Sequence, residues 1–91
     1  MPPTVHEYLS RIEPREVDSR GRYKQVPEPR KRAFAATKEV LTAAPTDLRL
    51  AAALTLAAAA RHGAETKDVW RLVRRYRDQV HNQAEQLVLP I

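Results

Sequence analysis

One stretch decides the fold of this 91-residue chain: LTLAAAARHGAETKDVWRLVRRYR, from Leu54 to Arg77. Within it, Ala59, Gly63, Val69 and Leu72 follow one another at intervals of four, six and three residues. Alanine lets two helices cross closely, glycine accepts a left-handed turn without a Cβ clash, and valine and leucine hold the second helix against the first. The spacing predicts an alanine-rich helix, a tight turn and a basic amphipathic helix.

This stretch resembles the helix-turn-helix of insertion-element transposases, small repressors and related DNA-binding proteins. Typical of such units are an alanine-rich helix, a glycine, a polar residue and a run of V-aromatic-R-hydrophobic ending in RRYR. The chain departs from the usual pattern at Ala64, where a larger aliphatic residue is common, and at Glu65, an acid close to where phosphate should sit. The resemblance covers 24 of the 91 residues. It implies that residues 54–77 form a helix-turn-helix whose second helix can enter a DNA major groove.

Composition limits the alternatives. Sixteen Lys and Arg against eleven Asp and Glu give a net charge of +5 and a pI near 10.1, which favours polyanionic partners. The length predicts one helical domain, residues 1–91, and the lack of cysteine excludes disulfides and thiolate metal sites. No run approaches the roughly 18 apolar residues needed to cross a bilayer, and the start lacks the order of a secretion signal. We therefore expect a cytoplasmic protein with no membrane partner.

Periodicity predicts an all-α fold, a small bundle of about four helices. The predicted helices are Val5 to Glu13, about Pro29 to Ala43, Asp47 to about His62, and Thr66 to about Val88. Apolar residues occur on both sides of the third helix, so we expect it to be buried on two sides. The fourth helix is about twice as long as groove recognition requires. Its part from Gln79 onward, with the apolar end LVLPI, is expected to pack on the first helix or on a second subunit.

Residues 14–28 form a predicted basic loop between the first and second helices. The sequence Asp18-Ser19-Arg20-Gly21 indicates a turn, which fits an irregular loop better than a short hairpin. Seven basic and three acidic residues lie between Arg15 and Arg32. They include the cluster Arg30, Lys31 and Arg32, which could follow a phosphate backbone or form a solvated loop.

The basic side of the fourth helix is the candidate nucleic-acid site. Guanidinium groups bind phosphate bidentately and pair with guanine in the major groove. At the amino end of the same helix, Thr66 and Lys67 would face base edges or phosphate. Trp70 is expected to pack at the edge of the core. The candidate arginines, for which a solvated helix face is the simpler alternative, are Arg71, Arg74, Arg75 and Arg77.

Catalytic or metal chemistry has little support in this sequence. The three histidines, His6, His62 and His81, are far apart and lack acidic neighbours at ligand spacing. No serine, histidine and acid grouping or phosphate-cradling glycine loop is present. We expect no enzyme activity, no cofactor and no metal.

Three functions remain. The first is a sequence-specific DNA-binding protein, such as a repressor or an accessory factor of a mobile element or of partition, acting in transcription regulation or a related process. It would bind double-stranded DNA as a homodimer, with two copies of the fourth helix about 34 Å apart in successive grooves. The second is a helical protein-interaction module or inhibitor subunit, which docks through its Ala/Leu-rich helix and apolar C-terminal end. The third, RNA binding, shares the charge but lacks a recognisable RNA module.

Overall fold

The computed structural model describes residues 3–17 and 20–88, with residues 82–88 described by their backbone course alone. It contains four α-helices in these ranges, and the prediction of a small all-helical bundle is confirmed. Each predicted boundary lies within one residue of the observed one. The helices are α1 (Val5–Ile12), α2 (Glu28–Thr42), α3 (Leu48–His62) and α4 (Thr66–Val88).

Side-chain caps fix where α1 and α3 begin. The Oγ1 of Thr4 accepts a hydrogen bond from the Glu7 N–H at 3.1 Å. The Asp47 carboxylate accepts one from the Leu50 N–H at 2.8 Å. Each cap satisfies a backbone donor that a helix start otherwise leaves without a partner, so the chain has only one favourable place to begin each helix.

The core forms where α2 packs against both α3 and α4. Alanines bring these helices close together, since Ala36, Ala51, Ala58 and Ala59 are fully buried. Larger side chains from α1, α2 and α4 complete the core. They are Tyr8 and Leu9 of α1, Val40 and Leu41 of α2, and Val69 and Val73 of α4.

The first helix is attached to α4 through two tyrosines. The Tyr8 hydroxyl donates a hydrogen bond to the Leu72 carbonyl at 2.6 Å, and its ring packs on Tyr76 with the centroids 5.1 Å apart. The Tyr76 hydroxyl donates to the Pro3 carbonyl at 3.3 Å. Burial raises the pKa of Tyr8, and the charge of Arg75 opposes that shift. The hydroxyl of Tyr8 therefore acts as a neutral donor that fixes α1 across α4.

The expectation that α3 is buried on two sides is wrong. Its buried residues lie on a single side, and the opposite face is open to solvent, with Leu56 62% exposed and Ala53, Ala57 and Ala60 also exposed. Both α2 and α4 contact α3, and because the buried residues of α3 share one side, both neighbours pack there. A helix made of alanine and leucine looks apolar all round in sequence, so its pattern could not show which face lacks a neighbour.

The segment between α1 and α2 is irregular. One antiparallel bridge joins Val17 to Tyr23, and Gly21 has φ 79°, but the described residues contain no strand. The predicted turn at Asp18 and Ser19 lies outside the described residues. Within the described part of the chain, no helix combines the length and the apolar character that a membrane span requires.

Candidate nucleic-acid interface

The exposed side of α4 presents a row of cations. On the opposite side, Val69 and Val73 are fully buried and fix the rotation of the helix about its axis. At 100° per residue this rotation directs four basic side chains outward. We call them the α4 ridge: Lys67, Arg71, Arg74 and Arg75, all exposed.

The connection before α4 is a three-residue turn that begins with Gly63. Gly63 has φ 67° and ψ 29°, the left-handed conformation that the sequence predicts. The Ala64 N–H donates back to the Ala59 carbonyl at 2.9 Å, which closes the end of α3. Ala59 and Val69 are fully buried and Leu72 is half-buried. Ala59, Gly63 and Val69 therefore adopt the burial or conformation expected of them, whereas Leu72 lines an open groove beside α1 and α2.

Three ridge residues have acidic neighbours. Lys67 lies 3.4 Å from Glu65, and Arg71 lies 3.8 Å from Asp68. Arg74 contacts Asp78 at 3.2 Å. Exposed ion pairs of this kind contribute about 0–1 kcal/mol, so a phosphate group can replace the carboxylate at little cost. Arg75 forms no ion pair with any residue that the structure describes.

Arg77 lies apart from the ridge, although we expected it to contact nucleic acid. Its side chain is half-buried and donates a hydrogen bond to the Pro45 carbonyl at 3.0 Å. The helical period places residue 77 nearer to Val73 than to Arg71 around the axis. Arg77 therefore ties α4 to the connection between α2 and α3. Trp70 is half-buried, as expected for a residue at the core edge.

The three consecutive cations Arg30, Lys31 and Arg32 do not act as one cluster. They fall in the first turns of α2, where successive side chains point about 100° apart. Lys31 pairs with Glu16 at 2.8 Å and lies 3.8 Å from Glu28; the bond to Glu16 is the main cause of its raised pKa. Arg32 runs beside the Gly63 turn. Only Arg30 joins the basic side of α4.

An open groove of about 510 Å³ lies beside the α4 ridge, between the end of α1 and the start of α2. Four arginines line it, with Asp68 as the one acid on its wall. Its apolar lining includes Ile12, Phe34 and Leu72. We call it the arginine groove, after Arg11, Arg30, Arg71 and Arg75.

Sequence reasoning missed Arg11. It is distant in sequence from the other three arginines, and only the packing of α1 across α4 brings it to them. Thr66, the first residue of α4, is exposed next to Lys67 as expected.

A second charged cluster joins the end of α3 to α2. Glu39 forms an ion pair with Arg61, and a His62 ring nitrogen lies 3.3 Å from the same carboxylate. The bond from Arg61 is the main cause of the lowered pKa of Glu39; burial opposes this shift, and the His62 contact adds to the lowering. In the described ranges no group of three His, Cys, Asp or Glu residues has the arrangement of a metal site.

Comparison with protein-family models, curated proteins and solved structures gave no match for this chain.

Proposed function

We propose that this chain is a small sequence-specific DNA-binding protein that places α4 in the major groove. The observation that carries the proposal is the α4 ridge, defined above. Its cations project from a helix whose other face is fixed in the core, directly after a left-handed glycine turn. Guanidinium groups held in this way can bind phosphate and the O6 and N7 atoms of guanine.

The dimensions of α4 suit a groove. From Thr66 to Asp78 the helix extends about 18 Å, whereas the major groove is about 12 Å wide. A helix of this length can lie in the groove and still contact the backbone on both sides. At its amino end, Glu65 and Asp68 are acceptors that suit the amino group of cytosine. The proposal therefore gives roles to both the basic and the acidic residues of this surface.

A repressor or an accessory factor of a mobile element or of partition is the biological class that fits such a module best. Single modules of this size bury less surface on DNA than dimers do, and two-fold pairing doubles the contacts. In the proposed homodimer the two α4 helices lie about 34 Å apart in successive major grooves.

The double variant Arg71→Ala with Arg74→Ala tests the proposal. Each lost phosphate contact makes the slope of log K against log salt shallower by about 0.9, so the two lost from each protomer correspond to about 60-fold weaker binding per bound protomer at 0.1 M salt. Fluorescence anisotropy with a labelled duplex measures both quantities. Lys38→Ala is the control, since it removes an exposed positive charge from α2. Equal binding by the double variant and the wild type would remove the claim.

A second function has its own observation in the open face of α3. Leu56 is 62% exposed, and Ala52, Ala53, Ala57 and Ala60 surround it. Small residues allow another helix to approach closely, so this face could dock on a partner protein, as in an inhibitor or assembly subunit. A stable stoichiometric complex that is lost in Leu56→Glu, together with no DNA affinity at low salt, would favour this function.

A further inference from the structure

The arginine groove brings together side chains from three helices. Arg11 comes from the last turn of α1, Arg30 from the first turn of α2, and Arg71 and Arg75 from successive turns of α4. We propose that this groove binds the phosphodiester backbone of one DNA strand, beside the major groove in which α4 lies. The inference rests on the proposed function and assigns a contact to α1 and α2, outside the helix that reads bases.

Charge favours a polyanion as the occupant. The groove is lined by four arginines and one acid, Asp68, whose carboxylate lies 3.8 Å from Arg71. Bringing four like charges to one groove is unfavourable unless an anion balances them, and a phosphate oxygen accepts bidentate bonds from arginine. The single exposed ion pair is too weak to neutralise the groove.

Spacing favours an extended strand over a single small anion. Arg71 and Arg75 are separated by about 6 Å along the axis of α4, close to the rise of two nucleotides of one DNA strand, about 6.8 Å. Arg11 and Arg30 stand on the other two helices of the groove. A free phosphate would contact a part of this set, whereas a strand that runs along the open groove can engage all four arginines.

The supporting helices hold Arg11 and Arg30 in place. Tyr8, one turn before Arg11, is fixed by its bond to the Leu72 carbonyl. Arg30 follows Pro27, whose carbonyl accepts the Arg30 N–H at 3.1 Å at the start of α2. Contacts from a rigid scaffold set the position of a protein on the duplex without carrying sequence information. The groove would thus set the depth and direction of α4.

The test uses the full chain with Arg11→Gln and Arg30→Gln combined, which leaves the α4 ridge intact. Lys38→Gln is the matched control, because it removes an exposed charge from α2 about 12 Å along the axis from Arg30. Thermal unfolding checks that each variant is folded. Anisotropy is measured over a range of salt concentrations on a duplex that the wild type selects from a random-sequence pool and on an unselected duplex. Poly-L-glutamate is tested as a second ligand.

For each bound protomer, we expect the double variant to flatten the salt slope by about 2 and to weaken binding to both duplexes about 60-fold at 0.1 M salt. The ratio between the two duplexes should stay at the wild-type value. An unchanged salt slope in the double variant would overturn the groove assignment and leave the proposed function standing. The same conclusion would follow if the double variant lost binding to poly-L-glutamate but kept its binding to duplex DNA. Failure of the wild type to bind any duplex would instead overturn the proposed function and the groove assignment with it.

Discussion

Replacing Gly63 by alanine tests the turn that directs α4. The residue has φ 67°, and a Cβ added there would meet nothing closer than the Arg32 side chain at 3.9 Å. Space is therefore available, and the cost comes from the backbone alone. A residue with a Cβ in the left-handed region loses roughly 1–2 kcal/mol. For a domain of this size each kcal/mol corresponds to about 4–8 °C in Tm, so Gly63→Ala should lower Tm by about 4–16 °C.

Calorimetry and urea unfolding measure this loss, and two variants serve as controls. Gly63→Asn should lose less, because asparagine tolerates the left-handed region better than alanine. Gly21 has φ 79° in the irregular segment, and a Cβ added there would have no atom within 4 Å. Gly21→Ala therefore measures the free-energy cost of the left-handed backbone alone, at a site away from a helix junction. Wild-type stability for Gly63→Ala would refute the left-handed turn. A loss well above 3 kcal/mol would refute the account of free space around it.

Three further changes test the core and the charged cluster. Thr55→Val should raise the free energy of unfolding by about 1 kcal/mol, because the buried Thr55 hydroxyl has no hydrogen-bond partner among the described residues. Thr37→Val should not raise it, because that substitution removes the hydrogen bond from the Thr37 hydroxyl to the Ala33 carbonyl. Equal effects of these two substitutions in urea unfolding would contradict this. Tyr8→Phe should lower the same free energy by about 1 kcal/mol through loss of the bond to Leu72, and an unchanged Tm would count against that bond. The lowered pKa of Glu39 means that its ion pairs stabilise the fold above pH 4.5, its ordinary pKa, and that this contribution is lost as pH falls through the lowered value. Glu39→Gln should therefore lessen the fall in stability below pH 4.5. An unchanged dependence of stability on pH in this acidic range would refute the role given to Glu39.

Local signals predicted the helices well. The caps at Thr4 and Asp47, the prolines Pro27 and Pro29 at the start of α2, and Gly63 each act within a few residues, so the sequence identifies them directly. The exposed side of α4 could be predicted for the same reason. Val69 and Val73 mark its buried side, and the helical period of 3.6 residues then places the basic residues on the opposite side.

Tertiary contacts could not be predicted in this way. The open face of α3 depends on α2 and α4 packing on one side of it, which an alanine-rich pattern does not reveal. The arginine groove depends on α1 crossing α4, and this brings Arg11 to residues 60 and more positions away. Arg77 was assigned by its neighbours in the basic run, but its position around the helix directs it to Pro45.

The salt dependence of duplex binding by the wild-type protein tests the central claim most directly. If four to six cations of the α4 ridge and the arginine groove contact phosphate, the slope of log K against log salt should lie between about −3.6 and −5.4 for each bound protomer. Such a slope corresponds to a loss of about 150-fold to 1,800-fold in affinity per protomer between 50 and 200 mM salt. No binding at 50 mM salt, or a slope flatter than about −1, would contradict a protein that reads duplex DNA with α4.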